Sequence, residues 1–260
     1  MIDAHVHLEN GPLSKEYVYQ FIRNAQVKGI DHLQILDHTH RFYEFKDMYD
    51  DICRQNPLQA QWFSQKQKNS LQDYIDLIEE IKKEDLPIKV TWGLEVCYKK
   101  EREPFLKDKL NLYPFDFLVG SVHSIFDILY DISSFSKELL WDRYDTQTIF
   151  QDYYRQLEQC IGSNLFSQIG HPDVIKLYQK QAGYDLTATY ETIADLAKTH
   201  NVLMEDNTGA FYRYHHPQVG LDPKFRKILQ KKHVPIVWAS DAHIPEHVGQ
   251  CFDKLKKVYE

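Results

Sequence analysis

The chain has 260 residues, 43% of them hydrophobic and 13% aromatic, with a formal net charge of −7. That length supports one large core, and a single α/β barrel runs to about 250 residues. The acidic balance and the lack of a basic stripe argue against a nucleic-acid partner, and no apolar run approaches the ~20 residues of a membrane span.

In chain order, Met1–His7 predicts a strand in which His5 and His7 lie two residues apart. Side chains alternate faces in an extended segment, so both imidazoles point the same way and form half of a metal site. Leu8 to Leu13 contains Gly11-Pro12 and reads as a loop, and Ser14 is placed to cap a helix carrying Tyr17, Val18, Phe21, Ile22 and Ala25. Leu33–Leu36 is a short strand running into Asp37-His38-Thr39-His40. Residues 41–66 are polar, aromatic and weakly periodic, an excursion with one helical piece. Tyr74, Ile75, Leu77, Ile78 and Ile81 mark an amphipathic helix.

Pro87–Trp92 predicts a strand ending in Gly93-Leu94-Glu95, followed by a helix near 104–111. Phe115–Val119 is a strand ending in Gly120-Ser121-Val122-His123. Residues 124–144 read as a long loop with small elements, and a long loop in a compact domain is often functional. A helix spans Ile149 to Ile161, then Leu165–Ile169 leads into Gly170-His171. A helix over 187–200 precedes Val202–Met204 and Glu205-Asp206-Asn207. The last unit is a helix near 222–232, a strand over 235–239 running into Ser240-Asp241-Ala242-His243, and a helix near 246–258.

Strand and helix alternate seven times, which implies a parallel sheet. An open doubly wound sheet would normally carry a glycine-rich phosphate fingerprint in its first turn, and none is present. Each predicted strand ends in a polar or metal-competent residue, and a barrel gathers such ends at one rim. The expectation is therefore α/β, a single distorted (β/α)7 barrel covering residues 1–260. The four cysteines, Cys53, Cys97, Cys160 and Cys251, are scattered and form no C-x-x-C pair, which predicts reduced, mostly buried thiols of a cytoplasmic protein. The N-terminal residues lack the apolar stretch of a signal peptide.

A lone His at a strand end is more often a satisfied core or loop residue than a ligand. Eight such residues converging on one rim, His5, His7, His38, Glu95, His123, His171, Asp241 and His243, point instead to metal. Eight ligands are too many for one ion, since catalytic zinc commonly takes three from the protein. The count predicts two to three divalent ions, and the imidazole and carboxylate donors suit zinc, manganese or iron. Clustered ions of this kind equip hydrolases of phosphate esters.

The ordered set H-V-H, L-D-H, G-L-E, G-S-V-H, I-G-H and S-D-A-H resembles the PHP (polymerase and histidinol phosphatase) family over nearly the whole chain, and within it the monofunctional branch acting on histidinol phosphate. The resemblance implies a distorted seven-stranded barrel with up to three metals. One site would use His5, His7, Glu95 and Asp241, a second would share Glu95 with His123 and His171, and a third would use His38 and His243. It also implies a metal-activated water attacking phosphorus, with Asp241 and His243 as catalytic residues. Arg213 is the candidate phosphate clamp, and Asn207 a second substrate-binding residue. The family's further His in the first loop falls on Leu13, which leaves the third site one ligand short, with His40, Glu9 or a water to compensate. The small phosphate substrate carries an amine and an imidazole, for which Glu9, Glu44 and Asp206 are the acidic candidates. The competing expectations are a PHP phosphoesterase acting on another small phosphate monoester, and a non-catalytic metal-binding PHP module.

Overall fold

The computed structural model describes residues 1–260. Strands β1 (Ile2–His7), β2 (His32–His38), β3 (Lys89–Cys97) and β4 (Phe117–Ser121) are followed by a small hairpin of β5 (Ser124–Ile125) and β6 (Ile128–Leu129), then by β7 (Gln168–Ile169), β8 (Leu203–Asn207) and β9 (Ile236–Ala239). Seven of these form one parallel sheet in the order β1-β2-β3-β4-β7-β8-β9. The first and last strands meet at a single bridge, Val6 to Ala242, where the His7 N–H donates to the Ala242 carbonyl at 2.7 Å. Behind that bridge Asp3 accepts from Ser240 N (2.8 Å), Ser240 Oγ (2.5 Å) and Gly249 N (2.7 Å). The sheet is thus a nearly closed barrel, as expected.

The helices cover the outside for the reason their periodicity predicts. In the helix Lys15–Val27 the residues Val18, Phe21, Ile22 and Ala25 are buried, and Ser14 caps it by accepting from Tyr17 N at 3.3 Å. In Leu71–Ile81 the buried stripe is Leu71, Tyr74, Leu77, Ile78 and Ile81, behind a reciprocal Ser70–Asp73 capping box.

Three stretches differ from expectation. Residues 43–66 are more helical than their pattern suggests: a 3-10 turn over Tyr43–Tyr49 leads into helices Asp50–Gln55 and Pro57–Lys66. Only Gln59 and Phe63 of the last are buried, so it lacks a stripe, and its start is set locally by Pro57 and the Asn56 cap. Gly209–Tyr214, a stretch with no expected element, is a short helix, and the expected C-terminal helix is a 3-10 turn over Pro245–His247 followed, after Cys251 (φ 65°), by the helix Phe252–Tyr259. Of the cysteines, Cys97 and Cys160 are buried, Cys53 and Cys251 are half-buried, and all four are free.

Candidate metal centre

In β1 the pairing register with β2 slips between Asp3 and Val6, an irregularity of the bulge type in the segment that carries His5. Bulges bend a strand and re-aim its side chains. Here His5 and His7 are both fully buried, with their Nε2 atoms 2.8 Å apart. Glu95 arrives from inside β3, two residues before the strand ends. Its Oε2 lies 3.2 Å from His5 Nε2 and 3.3 Å from His7 Nε2. Asp241 Oδ1 completes the group at 3.4 Å from His7 Nε2 and 3.9 Å from His5 Nε2.

These distances test whether a cation fits. Four donors around a tetrahedral zinc at ~2.0–2.1 Å stand roughly 3.3 Å apart. The measured edges of the His5, His7, Glu95 and Asp241 group run from 2.8 to 3.9 Å. Chemistry agrees with geometry. His5 Nδ1 lies 2.7 Å from Glu205 Oε1, so this nitrogen carries the proton and Nε2 is the lone-pair nitrogen. Acceptors aimed at one buried point repel unless a positive charge sits among them.

Glu95 reaches a second group with its other oxygen. Its Oε1 lies 2.9 Å from His171 Nε2 and 3.1 Å from His123 Nε2, and its Oε2 lies 3.0 Å from His38 Nε2. His38, Glu95 and His123 have ligand atoms close enough to share one ion. His38 turns its Nδ1 towards Glu9 Oε2 at 3.0 Å, and His243 Nε2 lies 3.5 Å from Glu9 Oε1. His7, Glu9, His38 and His243 form a further group of metal-ligand spacing. Glu9 therefore stands in the third group, where the sequence lacks a histidine. Leu13 packs against the hydrophobic core instead. His40 Nε2 is 3.6 Å from Glu9, and burial together with His38 pushes its pKa down to about 3. A neutral His40 thus backs the Glu9 carboxylate.

The electrostatics show the same demand. Burial opposes charge on Glu95, but the imidazoles of His38, His5 and His123 hold its carboxyl well below the usual range. Burial likewise opposes charge on His7, yet Asp241, Asp37 and Glu95 push it up to about 10. A divalent ion meets that demand and displaces the protons, so binding is coupled to pH. Burial, then the Arg213 guanidinium and His7, hold His243 well below the ordinary histidine range.

The remaining expected residues sit at the same rim. Arg213, on the helix Gly209–Tyr214, places Nη1 3.1 Å from Asp241 Oδ2 and lines the pocket above the acidic cluster. Asn207 faces the site, but its amide donates to Glu205 Oε2 at 2.9 Å and its oxygen accepts from Gly209 N at 2.8 Å. A Cβ on Gly209 would lie 2.8 Å from Asp241 Oδ2, so only glycine lets this helix start against the ligand. Asp241 (φ 57°) and His171 (φ 29°) both occupy the left-handed region. Backbone strain of this kind persists where the surroundings over-determine it, and for His171 the anchor is its N–H donating to Glu205 Oε2 at 3.0 Å.

Glu205 is the residue sequence reasoning left unassigned. It is fully buried and accepts from His5, Gln168 Nε2 (2.7 Å), the His171 N–H and Asn207. Its signal was present, since it lies two residues before Asn207 on the same strand face. Above the cluster opens a pocket of about 480 Å³. One wall comes from residues 39–66 through His40, Tyr49, Trp62 and Phe63, and another from residues 129–132. Gln59 ties the two together, donating to the Asp127 carbonyl (3.0 Å) and accepting from Leu129 N (2.8 Å).

Comparison with known proteins agrees with this geometry. The PHP domain matches residues 3–209. A protein named "Probable histidinol-phosphatase" in Deinococcus radiodurans is 29% identical over 191 residues, covering 72% of this chain and 71% of that protein. The histidinol-phosphatase of Bacillus subtilis is 24% identical over 96% of each chain. The fold superposes with a TM-score of 0.69 and 18% identity on the histidinol phosphate phosphatase of Lactococcus lactis, solved in complex with zinc, L-histidinol and phosphate, covering 99% of this chain and 93% of that one. With the family's domain spanning most of its length and its ordered histidines and acids gathered at one rim of a seven-stranded barrel, the chain belongs to the PHP family.

Proposed function

We propose that this chain is a metal-dependent phosphatase that hydrolyses L-histidinol phosphate to L-histidinol and phosphate, as one domain over residues 1–260. The observation that carries the reading is Glu95. Its two oxygens face two different sets of imidazoles, 2.9–3.3 Å away, directly below a pocket lined by an arginine. A carboxylate in that position would serve as a ligand to two ions. The relatives named as histidinol-phosphatases support the choice of substrate.

We assign three divalent ions, of zinc, manganese or iron. His5, His7, Glu95 and Asp241 would hold the first, Glu95, His123 and His171 the second, and Glu9, His38 and His243 the third. Bound ions of this kind neutralise a phosphate dianion and lower the pKa of the water nucleophile. The chain's own residues do the rest. Arg213 presents a fixed fork to the phosphate oxygens, steadied by Asp241. His243 Nδ1 lies 2.9 Å from the Asp241 carbonyl and 3.1 Å from Arg213 Nη1, and its Nε2 lies 3.5 Å from Glu9 Oε1, the spacing of two ligands of one ion. That favours a ligand role for His243 over a proton donor to the leaving alkoxide. The aromatic wall restricts water around the ester.

The test is phosphate release by the purified protein, with and without chelator, from histidinol phosphate, an aryl phosphate and several sugar phosphates. The expected result is chelator-sensitive turnover with histidinol phosphate preferred. A preference in kcat/KM below roughly tenfold, only ~1.4 kcal/mol of differential transition-state binding, overturns the substrate assignment.

A further inference from the structure

A phosphomonoester carrying a primary amine brings a cation into the pocket at its far end, and a buried cation needs an acidic partner. The three acids the sequence offered are engaged elsewhere. Glu9 lies among His38, His40 and His243. Glu44 caps a helix by accepting from Leu71 N at 2.8 Å. Asp206 points to the other face of β8, where it pairs with Arg226 (2.5 Å and 3.1 Å) and accepts from Leu221 N and Tyr259 Oη, both at 2.7 Å.

One acid remains. Asp131 lines the main pocket and also the smaller cleft that meets it at His38, His123, Arg213, Tyr214 and His243. It is half-buried, and its carboxylate makes no hydrogen bond or ion pair within the protein. The backbone on either side of it is pinned. Trp141 Nε1 donates to the Tyr130 carbonyl at 2.9 Å, and Ile132 N donates to Ser136 Oγ at 2.8 Å, while that hydroxyl donates to the Leu129 carbonyl at 2.6 Å. A carboxylate in the wall of the pocket that Arg213 also lines, with its flanking backbone fixed and no partner of its own, is arranged to receive a cation from outside.

We infer that Asp131 is the specificity residue of this site, binding the ammonium group of an amino-alkyl phosphate while the phosphate sits at the metal cluster and Arg213. The inference rests on the proposed phosphatase reading and adds the group that tells an amine-bearing ester from a plain one. Asp131 makes no hydrogen bond or ion pair with the proposed metal ligands, whose carboxylate partners are Glu9, Glu95, Glu205 and Asp241, so its effect falls on substrate choice.

The experiment compares wild type, Asp131→Asn and Asp131→Glu on histidinol phosphate, its des-amino counterpart and p-nitrophenyl phosphate, with metal content measured for each protein. A charge-assisted hydrogen bond of this kind predicts that Asp131→Asn raises KM for histidinol phosphate by about tenfold to a hundredfold. Turnover of the two esters without an amine stays within twofold, and Asp131→Glu recovers part of the preference. If wild type prefers the amine-bearing ester and Asp131→Asn keeps that preference, the inference falls and the phosphatase reading stands. An equal loss on all three esters shows a structural role and also overturns it. If wild type shows no preference for histidinol phosphate, the functional reading falls and takes this inference with it.

Discussion

Replacing Glu205 by glutamine isolates the support behind the first metal group. The side chain keeps its volume, so no cavity term enters. What changes is the hydrogen-bond inventory. The carboxylate accepts from four donors: His5 Nδ1 and Gln168 Nε2 on Oε1, and His171 N and Asn207 Nδ2 on Oε2. Glutamine keeps one acceptor oxygen and turns an NH2 group towards the other two donors. In either orientation two donors face a donor in a fully buried site. Losing a hydrogen bond to a charged acceptor costs ~1.5–3 kcal/mol, so two set an upper range of roughly 3–6 kcal/mol for the fold. The effect on metal is smaller and more specific. A carboxylate behind a ligating histidine fixes its tautomer, and removing such a partner typically costs 10–100-fold in affinity, or ~1.4–2.8 kcal/mol. We expect Glu205→Gln to bind the first ion 10–100-fold more weakly, measured by competition with a chromogenic chelator at fixed pH, and to melt at lower temperature. Unchanged affinity for every ion, within twofold, in a folded Glu205→Gln protein would refute the idea that Glu205 sets the His5 tautomer.

Two further outcomes follow from individual side chains. Glu9→Ala removes the carboxylate between His38 and His243, so metal analysis after dialysis should find one ion fewer per chain, whereas Leu13→His should leave the count unchanged because Glu9 already occupies that group. A third ion retained in Glu9→Ala means that another residue or water supplies the ligand. Asp206→Asn weakens a buried ion pair with Arg226, and breaking such pairs costs ~3–5 kcal/mol. Thermal melting should register the loss while kcat/KM at a permissive temperature stays near wild type, and a selective fall in kcat/KM would place Asp206 at the substrate after all.

What the sequence disclosed, and what it withheld, follows from the range of each physical signal. His5, His7, His38, Asp241 and His243 lie at or just beyond strand ends, where period-two alternation and the convergence of a barrel rim place them without any knowledge of neighbours. Asp3, by contrast, spans the chain. It holds Ser240 and Gly249, and closes the barrel behind the ligands through contacts no local pattern announces. Glu9 was one of three compensations open at the third site, because a loop residue two positions past His7 has no period to aim it. Its contacts with both His38 and His243 are the reason it is the one proposed. Residues 43–66 hid their helices because Pro57–Lys66 buries only Gln59 and Phe63, leaving no stripe to read. Asp131 was hidden for the opposite reason. It sits in a long loop whose shape is set by Ser136 and Trp141 after it, so its position in the pocket wall belongs to that local framework and to no repeat in the sequence. The metal cluster is built on strands and the pocket walls largely on connections. Chemistry was therefore legible before specificity, and the residue proposed to choose the substrate is one that only the folded chain brings into view.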